Sequence, residues 1–314
     1  MALKLGLDVL GGDFAPEANV QGAILAQKEL GESAKICLIG DEGEIHKILK
    51  EENCDPDLFQ IVHTTSQIEM GEHPTKAFLK KKDSSIALGF GMMADGSLDA
   101  FSSTGNSGAM LVGAMYTIRT IPGVIRPSIT TALPVLNGGV SVLLDVGINA
   151  DCKPDVLYQF GKLGSILAEQ IYNIENPKVG LLNIGEEEEK GNMLAHSTHE
   201  MMRDTRDFNF IGNIEGRDLF NGKADVIVCD GYTGNIVLKQ AEALYTLIRK
   251  RKIQDEYFER FNYEIYGGTP VLGVNGNVII GHGISNANAV KNMILLSADT
   301  AEAKLADRIR KVFK

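Results

Sequence analysis

Six stretches of small polar residues, each directly after an apolar run of strand length, are where this sequence can do chemistry. They cover residues 8–13, 102–108, 145–149, 185–192, 230–235 and 281–283. In open α/β sheets ligands bind outside the carboxyl ends of the strands, so such loops are expected to converge on one crevice. The most informative is Ser102-Ser103-Thr104-Gly105-Asn106-Ser107-Gly108, which opens a helical segment. A turn of this composition offers free backbone N–H groups and the positive end of a helix dipole to an anion. Small polar turns occur throughout α/β proteins, and it is the six together that favour a ligand.

Lys190 supplies a charged centre, in Gly185-Glu186-Glu187-Glu188-Glu189-Lys190-Gly191-Asn192, where four carboxylates precede one ammonium at a strand end. A solvated helix start with Glu in its first turn is the competing reading. Arg126, before Pro127, and Arg217 are the other cations beside candidate loops. The first strand-to-helix turn, Gly11-Gly12-Asp13-Phe14-Ala15-Pro16, fails the G-x-G-x-x-G pattern, and no G-x-x-x-x-G-K-[ST] occurs, which disfavours NAD and ATP. No G-x-S-x-G elbow appears, so a covalent acyl-enzyme has little support. His196 and His199 are three apart on an expected helix but lack a nearby third ligand, so they read as a surface pair and no metal is expected.

These loops need a scaffold, and the pattern around them provides one. Apolar runs at residues 4–10, 35–40, 59–63, 100–103, 179–184, 208–214 and 224–229 alternate with helical-period segments, among them 84–93 and 107–119. That is the signature of a mostly parallel sheet with helices on both faces. Two hairpins interrupt it: 128–136 with 140–146 across Asn137-Gly138-Gly139, and 271–274 with 278–280 across Asn275-Gly276. A closing helix is expected over 286–312. No Pro/Ser-rich linker or repeat marks a boundary, so residues 1–314 read as a single catalytic α/β unit of two interwoven lobes.

The 314 residues are 44% hydrophobic and 23% charged, ordinary for a globular chain. A formal charge of -10 argues against nucleic acid, which requires a basic footprint. Cys37, Cys54, Cys152 and Cys229 form no CxxC pair and read as reduced thiols. With no signal-peptide pattern and no apolar run long enough for a bilayer, a cytoplasmic location is expected.

At the same loops the chain resembles the bacterial phosphate acyltransferase family, the acyl-carrier-protein:phosphate transacylases of phospholipid synthesis. The resemblance rests on Asp8-Val9-Leu10-Gly11-Gly12-Asp13 with Ala15-Pro16, Ser103-Thr104-Gly105-Asn106-Ser107-Gly108-Ala109, Leu144-Asp145-Val146-Gly147 and Asp151-Cys152-Lys153-Pro154. It continues through Leu182-Asn183-Ile184-Gly185-Glu186-Glu187 with Lys190-Gly191-Asn192, Gly212-Asn213-Ile214-Glu215-Gly216-Arg217-Asp218, Cys229-Asp230-Gly231 with Thr233-Gly234-Asn235, and Tyr266-Gly267-Gly268. It implies a fold similar to phosphate acetyltransferases and isopropylmalate dehydrogenases, and conversion of acyl-carrier-protein thioester plus inorganic phosphate to acyl phosphate and free carrier protein. A homodimer and a loose peripheral contact with the inner membrane face follow from the same resemblance, and with the dinucleotide and Walker patterns absent no cofactor is expected.

The family's catalytic Lys and Asn fall on Lys190 and Asn235. Thr104, Gly105, Asn106, Ser107, Gly108 and Arg126 are expected to cradle phosphate, together with Gly11, Gly12 and Asn192. Asp8, Asp13, Asp145, Asp230 and His282 are expected to orient their neighbours. The chain departs from the family at Leu10, where Met is usual, and at Leu79, where Arg is usual. It is also shorter between Asn235 and Tyr266. Within 236–265, a helical segment expected to meet dimer partner, membrane or carrier protein, Leu244, Leu247 and Ile248 share a helical face and precede Arg249-Lys250-Arg251-Lys252. Two alternatives remain: a short-chain phosphate acetyltransferase using acetyl-CoA, and a non-catalytic carrier-protein-binding regulator. A nicotinamide dehydrogenase of related fold is a more distant one.

Overall fold

The computed structural model describes residues 2–313. In chain order the elements are β1 (Leu3–Asp8), α1 (Glu17–Leu30), β2 (Ala34–Gly40), α2 (Glu42–Glu51), β3 (Gln60–His63), α3 (Pro74–Lys80), α4 (Ser85–Ala94), β4 (Ala100–Ser103) and α5 (Ser107–Gly113). There follow β5 (Ser128–Pro134), β6 (Val140–Leu144), α6 (Pro154–Ile171), β7 (Lys178–Asn183), α7 (Met193–Met202), β8 (Asn209–Glu215), β9 (Val226–Val228), α8 (Gly231–Lys250) and α9 (Glu256–Glu259). The chain closes with α10 (Tyr263–Tyr266), β10 (Gly268–Leu272), β11 (Asn277–Gly281), α11 (Ala287–Glu302) and α12 (Leu305–Val312).

These elements form two compact units. The first takes in the chain up to Ile121 together with Tyr263–Asp307, and the second takes in Pro122–Asn262 and the residues from Arg308 on. In the first unit the strand order is β3-β2-β1-β4-β11-β10. All neighbours are parallel except β10 and β11, which form the expected hairpin. The last four residues of β1 are buried, as is typical of a parallel strand covered on both faces. On one face α1 and α11 lie against the sheet, burying Val20, Ile24, Met293 and Ile294 with Leu5, Leu7, Ile36 and Leu38. Phe90 of α4 meets Phe101 of β4 edge-on, ring centroids 5.3 Å apart.

The second unit has the order β5-β6-β9-β7-β8. β6, β9, β7 and β8 are parallel, and β5 pairs antiparallel with β6, as Asn137-Gly138-Gly139 implies. Phe160, Leu163 and Leu167 of α6 are fully buried. Val237 and Leu238 of α8 pack against a second cluster built on Leu133, Leu143, Ile214 and Ile227.

The helical expectations need three corrections. The helix expected over 107–119 is α-helical only to Gly113, after which Ala114–Ile118 are π-wound and Arg119, at φ 64°, ends it. The closing helix breaks at Ala303 and Lys304, where Lys304 takes φ 52°, so α11 and α12 are separate. α3 is a helix that periodicity over seven residues is too short to reveal. Among the described residues no helix is long and apolar enough to cross a membrane.

Candidate active site

In the first unit, the ends of β1 and β4 are tied into one knot. Asp8, at 1% exposure, accepts hydrogen bonds from Ser103 Oγ (2.7 Å) and the Leu10 amide (3.0 Å). Ser103 Oγ accepts from the Gly105 amide at 2.9 Å. The buried Thr104 hydroxyl donates to Gly11 O at 2.8 Å, and Asn19 Nδ2, from inside α1, donates to the same carbonyl at 2.8 Å and to Val9 O at 3.0 Å. The two loops touch so closely that a Cβ on Gly11 would stand 2.7 Å from Gly105 Cα. Asn106 caps α5 through the Ala109 amide (3.0 Å), while its Nδ2 donates to Glu69 O (3.0 Å) and Glu72 O (3.2 Å).

Asp8, Thr104 and Asn106 therefore hold protein groups. Exposed at this end are Ser107, in the first turn of α5, and Asp13, whose amide donates to Gly283 O at 2.7 Å. Gly12, Gly108 and His282 are half-buried, the His282 ring lying 5.1 Å from Tyr263.

In the second unit Asp145 is the corresponding hub. Its carboxylate accepts from the Ile129 amide (3.0 Å), Ser128 Oγ (3.2 Å), and the Asn149 amide (2.6 Å) and Nδ2 (3.0 Å). Asn149 O accepts from the Gly231 amide at 2.8 Å, and Gly231 O accepts from the Gly147 amide at 3.0 Å. Asp230 caps α8 through the Thr233 amide at 2.7 Å. The first turn of α8 is pressed against this loop: a Cβ on Gly234 would lie 2.0 Å from Asp145 O, which only glycine permits. Asn235 is held by that turn, exposed, with its amide beside Gly147.

Lys190 is exposed on a braced loop. Asn183 Nδ2 donates to Lys190 O (3.0 Å), Asn213 Nδ2 donates to Glu187 O (2.9 Å), and Asn192 caps α7 through the Ala195 amide (2.9 Å). Two of the nearby carboxylates are engaged elsewhere. Glu186 pairs with Lys223 (2.8 Å) and Arg217 (3.6 Å), and Glu188 pairs with Arg203 (3.3 Å). Among the described residues no ion pair involves Lys190, so its charge is available to an incoming anion. Arg126 is exposed, with its guanidinium on Asp151 O at 2.8 Å. Glu186, Glu215 and Asp218 gather closely enough for a metal, but Lys223 also bonds Asp218 (3.2 Å) and Arg217 pairs with Glu215, making this an ion-pair network.

The surface-pair reading of His196 and His199 is corrected: His199 is buried, edge-on to Phe210 at 5.3 Å, and only His196 is exposed. The thiols are unsuited to nucleophilic attack. Burial pushes Cys37 up to about 11, and burial with the charges of Asp145 and Asp230 pushes Cys152 up to about 12. Sequence reasoning missed Asn19, Asn149, Asn183 and Asn213 as the groups that set these loops. Asn19 alone carried a signal, as an amide on the apolar face of an otherwise regular helix.

Burial is the largest effect on Asp8 and Asp145 and raises both carboxyls above their ordinary value, against the hydrogen bonds they accept. The folded state thus holds these protons more tightly than the unfolded chain. The associated stability is complete below the ordinary carboxylate value and is lost as pH rises through the raised one. We expect Asp8→Asn to flatten this dependence. Calorimetric melts from mildly acidic to neutral pH should show a steeper fall in Tm for the wild type, and parallel profiles would exclude Asp8 as the source.

Residues 3–308 match the family described as fatty acid synthesis protein. The phosphate acyltransferase of Endomicrobium trichonymphae is 43% identical over 329 positions, covering 98% of this chain and 96% of that protein. Phosphate acyltransferases of Salinibacter ruber (40% identical, 100% and 98% covered) and Dictyoglomus turgidum (39%, 98% and 96%) are similar along their whole lengths. The first alignment is longer than this chain of 314 residues, so that relative has residues with no counterpart here. In fold the chain is similar to a phosphotransacetylase from Streptococcus pyogenes (TM-score 0.66, 18% identity, 96% and 94% covered). A branched-chain phosphotransacylase from Enterococcus faecalis is similar too (TM-score 0.62, 14% identity, 95% and 99% covered). The chain belongs to the fatty acid synthesis protein family, whose curated relatives here are phosphate acyltransferases.

Proposed function

We propose that this enzyme transfers the acyl group of an acyl-carrier-protein thioester to inorganic phosphate, with Lys190 and Asn235 as its catalytic residues. The observation that carries the residue assignment is the contrast between buried struts and exposed polar groups. Asp8, Thr104, Asn106 and Asp145 are spent on the protein's own loops, while Lys190 is exposed on a loop braced by Asn183 and Asn213, and Asn235 is exposed on the α8 turn pressed against the 145–149 loop. Phosphate is itself the nucleophile, so no side-chain nucleophile is required. An oxygen of hydrogen phosphate attacks the thioester carbonyl, the C–O bond forms, and the C–S bond breaks as the tetrahedral oxyanion collapses. The phosphate proton passes to the departing sulfur, giving acyl phosphate and carrier-protein thiol. Lys190 offsets the charge of phosphate and of the oxyanion, and the Asn235 amide donates to that oxyanion. Within the second unit Arg126 contributes a phosphate contact in this reading.

The test omits phosphate. Thiol release from palmitoyl carrier protein and hydroxylamine-trapped acyl phosphate should both depend on added phosphate, and palmitoyl carrier protein should outcompete acetyl-CoA at equal phosphate. Asn235→Ala should lower kcat by roughly 10²-fold, the usual loss for one oxyanion donor. Thiol release independent of phosphate would sink the reaction, and an unimpaired Asn235→Ala would sink the assignment. A homodimer and a peripheral contact with the inner membrane face belong to the same proposal, checked by light scattering and vesicle sedimentation.

A further inference from the structure

Arg126 stands on an exposed stretch of the second unit without regular structure, yet the backbone on both sides of it is held. Downstream, Asn149 Nδ2 donates to Pro127 O at 2.8 Å, and Asn149 is itself fixed by the Asp145 carboxylate. Upstream, Gln159 of α6 makes a two-point clamp: its Nε2 donates to Gly123 O and its Oε1 accepts from the Ile125 amide, both at 2.8 Å. Turning the amide over would lose both bonds, so they fix its orientation. Val124, between the two clamped residues, is buried. Phe313 closes the same turn from the other side. Gly123 takes φ 92°, and a Cβ there would collide with Phe313 O. The Phe313 ring lies 5.1 Å from Lys162 Nζ, which pairs with Asp207 at 3.1 Å.

The core does not require an amide at position 159. α6 buries Val156, Leu157, Phe160 and Leu163, whereas Gln159 is half-buried and shares with Asp155, Tyr158 and Lys162 the wall of an open cavity of about 320 Å³. Both polar ends of Gln159 are committed to the 123–125 backbone. The guanidinium of Arg126 rests on Asp151 O at 2.8 Å, three residues ahead of α6. The lead-in to α6 therefore sets the head of Arg126, and the second turn of α6 sets the backbone from which it springs. Arg recognises phosphate through a planar fork of N–H groups, so its contribution depends on the direction in which that backbone aims it. A short irregular segment opens locally at little cost unless it is tied down.

We propose that Gln159 is a positioning residue for the phosphate substrate, acting through Arg126 by clamping the 123–125 turn. The inference rests on the acyl-transfer reading above, in which Arg126 contacts phosphate. Gln159 touches neither reactant; it narrows the range of directions open to the guanidinium before phosphate arrives.

The test uses the whole protein and inorganic phosphate. Phosphate should shield Arg126 from phenylglyoxal, read by peptide mass spectrometry. Gln159→Met, similar in shape but without either bond, should raise the phosphate concentration needed for half-shielding about tenfold. KM for phosphate should rise by a similar factor, with a much smaller fall in kcat and none in the affinity for palmitoyl carrier protein, the pattern of lost ground-state binding. Gln159→Glu, which keeps the acceptor for the Ile125 amide and loses only the donor, should lie between the two and carries the same comparison if the methionine variant does not fold. In an Arg126→Ala background, Gln159→Met should change KM for phosphate by less than about twofold, because effects carried through one residue do not add. Absence of shielding in the wild type, or unchanged phosphate dependence in the Gln159 variants, overturns the proposal. So does an equal rise in KM with Arg126 already absent, because Gln159 is then a strut with no route through that side chain. A wild type in which phosphate shields Arg126 but no acyl phosphate forms counts against the catalytic reading alone, since shielding is read without turnover.

Discussion

Lys190→Ala should lower kcat for acyl phosphate formation by about 10²–10³-fold, close to background, while leaving the fold intact. The size of the effect follows from how the ammonium is kept available. Glu186 and Glu188 sit within four residues of it, yet they are drawn to Lys223, Arg217 and Arg203. An unpartnered cation faces two anionic demands, the phosphate in the ground state and the oxyanion in the transition state. KM for phosphate should therefore rise as well as kcat fall. Because Lys190 is exposed, stability should move by less than about 0.5 kcal/mol. Lys190→Arg, with its charge kept but its geometry changed, should recover only part of the loss. Hydroxylamine trapping and a thermal melt on the same preparations check both halves, and full activity in the alanine variant would remove Lys190 from the mechanism.

Asp145→Ala should be the most destabilising of these substitutions, by about 3–5 kcal/mol. The carboxylate gathers Ser128, Ile129 and both nitrogen donors of Asn149 at a fully buried site. Truncation strands four donors where water does not reach, each costing about 1–3 kcal/mol before relaxation. It also frees the 145–149 loop against which the first turn of α8 is pressed, so kcat should drop further than the fraction unfolded explains. Asp145→Asn, which retains an acceptor oxygen, should lose less of both. Urea denaturation with activity measured at matched folded fractions separates the two effects; a stability loss below about 1 kcal/mol would show that the hub is dispensable.

Much of this was legible in residue order. Strands buried on both faces have to be apolar runs, so β1, β2, β4 and β9 stand out, and Asn137-Gly138-Gly139 announces its hairpin. The polar loops were legible as a set, because glycine and small hydroxyl residues at strand ends have few other uses. What each loop residue does was not. Asp8, Thr104 and Asn106 have the composition of ligand contacts, and only three-dimensional proximity shows that their bonds are made to Ser103, Gly11 and the 69–72 backbone. The burial of His199 was hidden because α7 carries polar residues around most of its circumference. The passage between the units at Ile121 and Pro122 has no linker composition, since the chain leaves one packed body and enters the next without a spacer.

That passage also sets a timetable for synthesis. Asp99, at the start of β4, is bonded by Asn277, 178 positions later. At 5–20 residues per second, β4 has no partner along that edge for roughly 9 to 36 seconds, and α1 (from Glu17) has no α11 (from Ala287) against it for roughly 13 to 54 seconds. Residues 122–262 emerge in one stretch and can complete their sheet first. The ribosome therefore delivers every strand of the later unit while the earlier one waits with an open strand edge, the part of the nascent chain most in need of a chaperone.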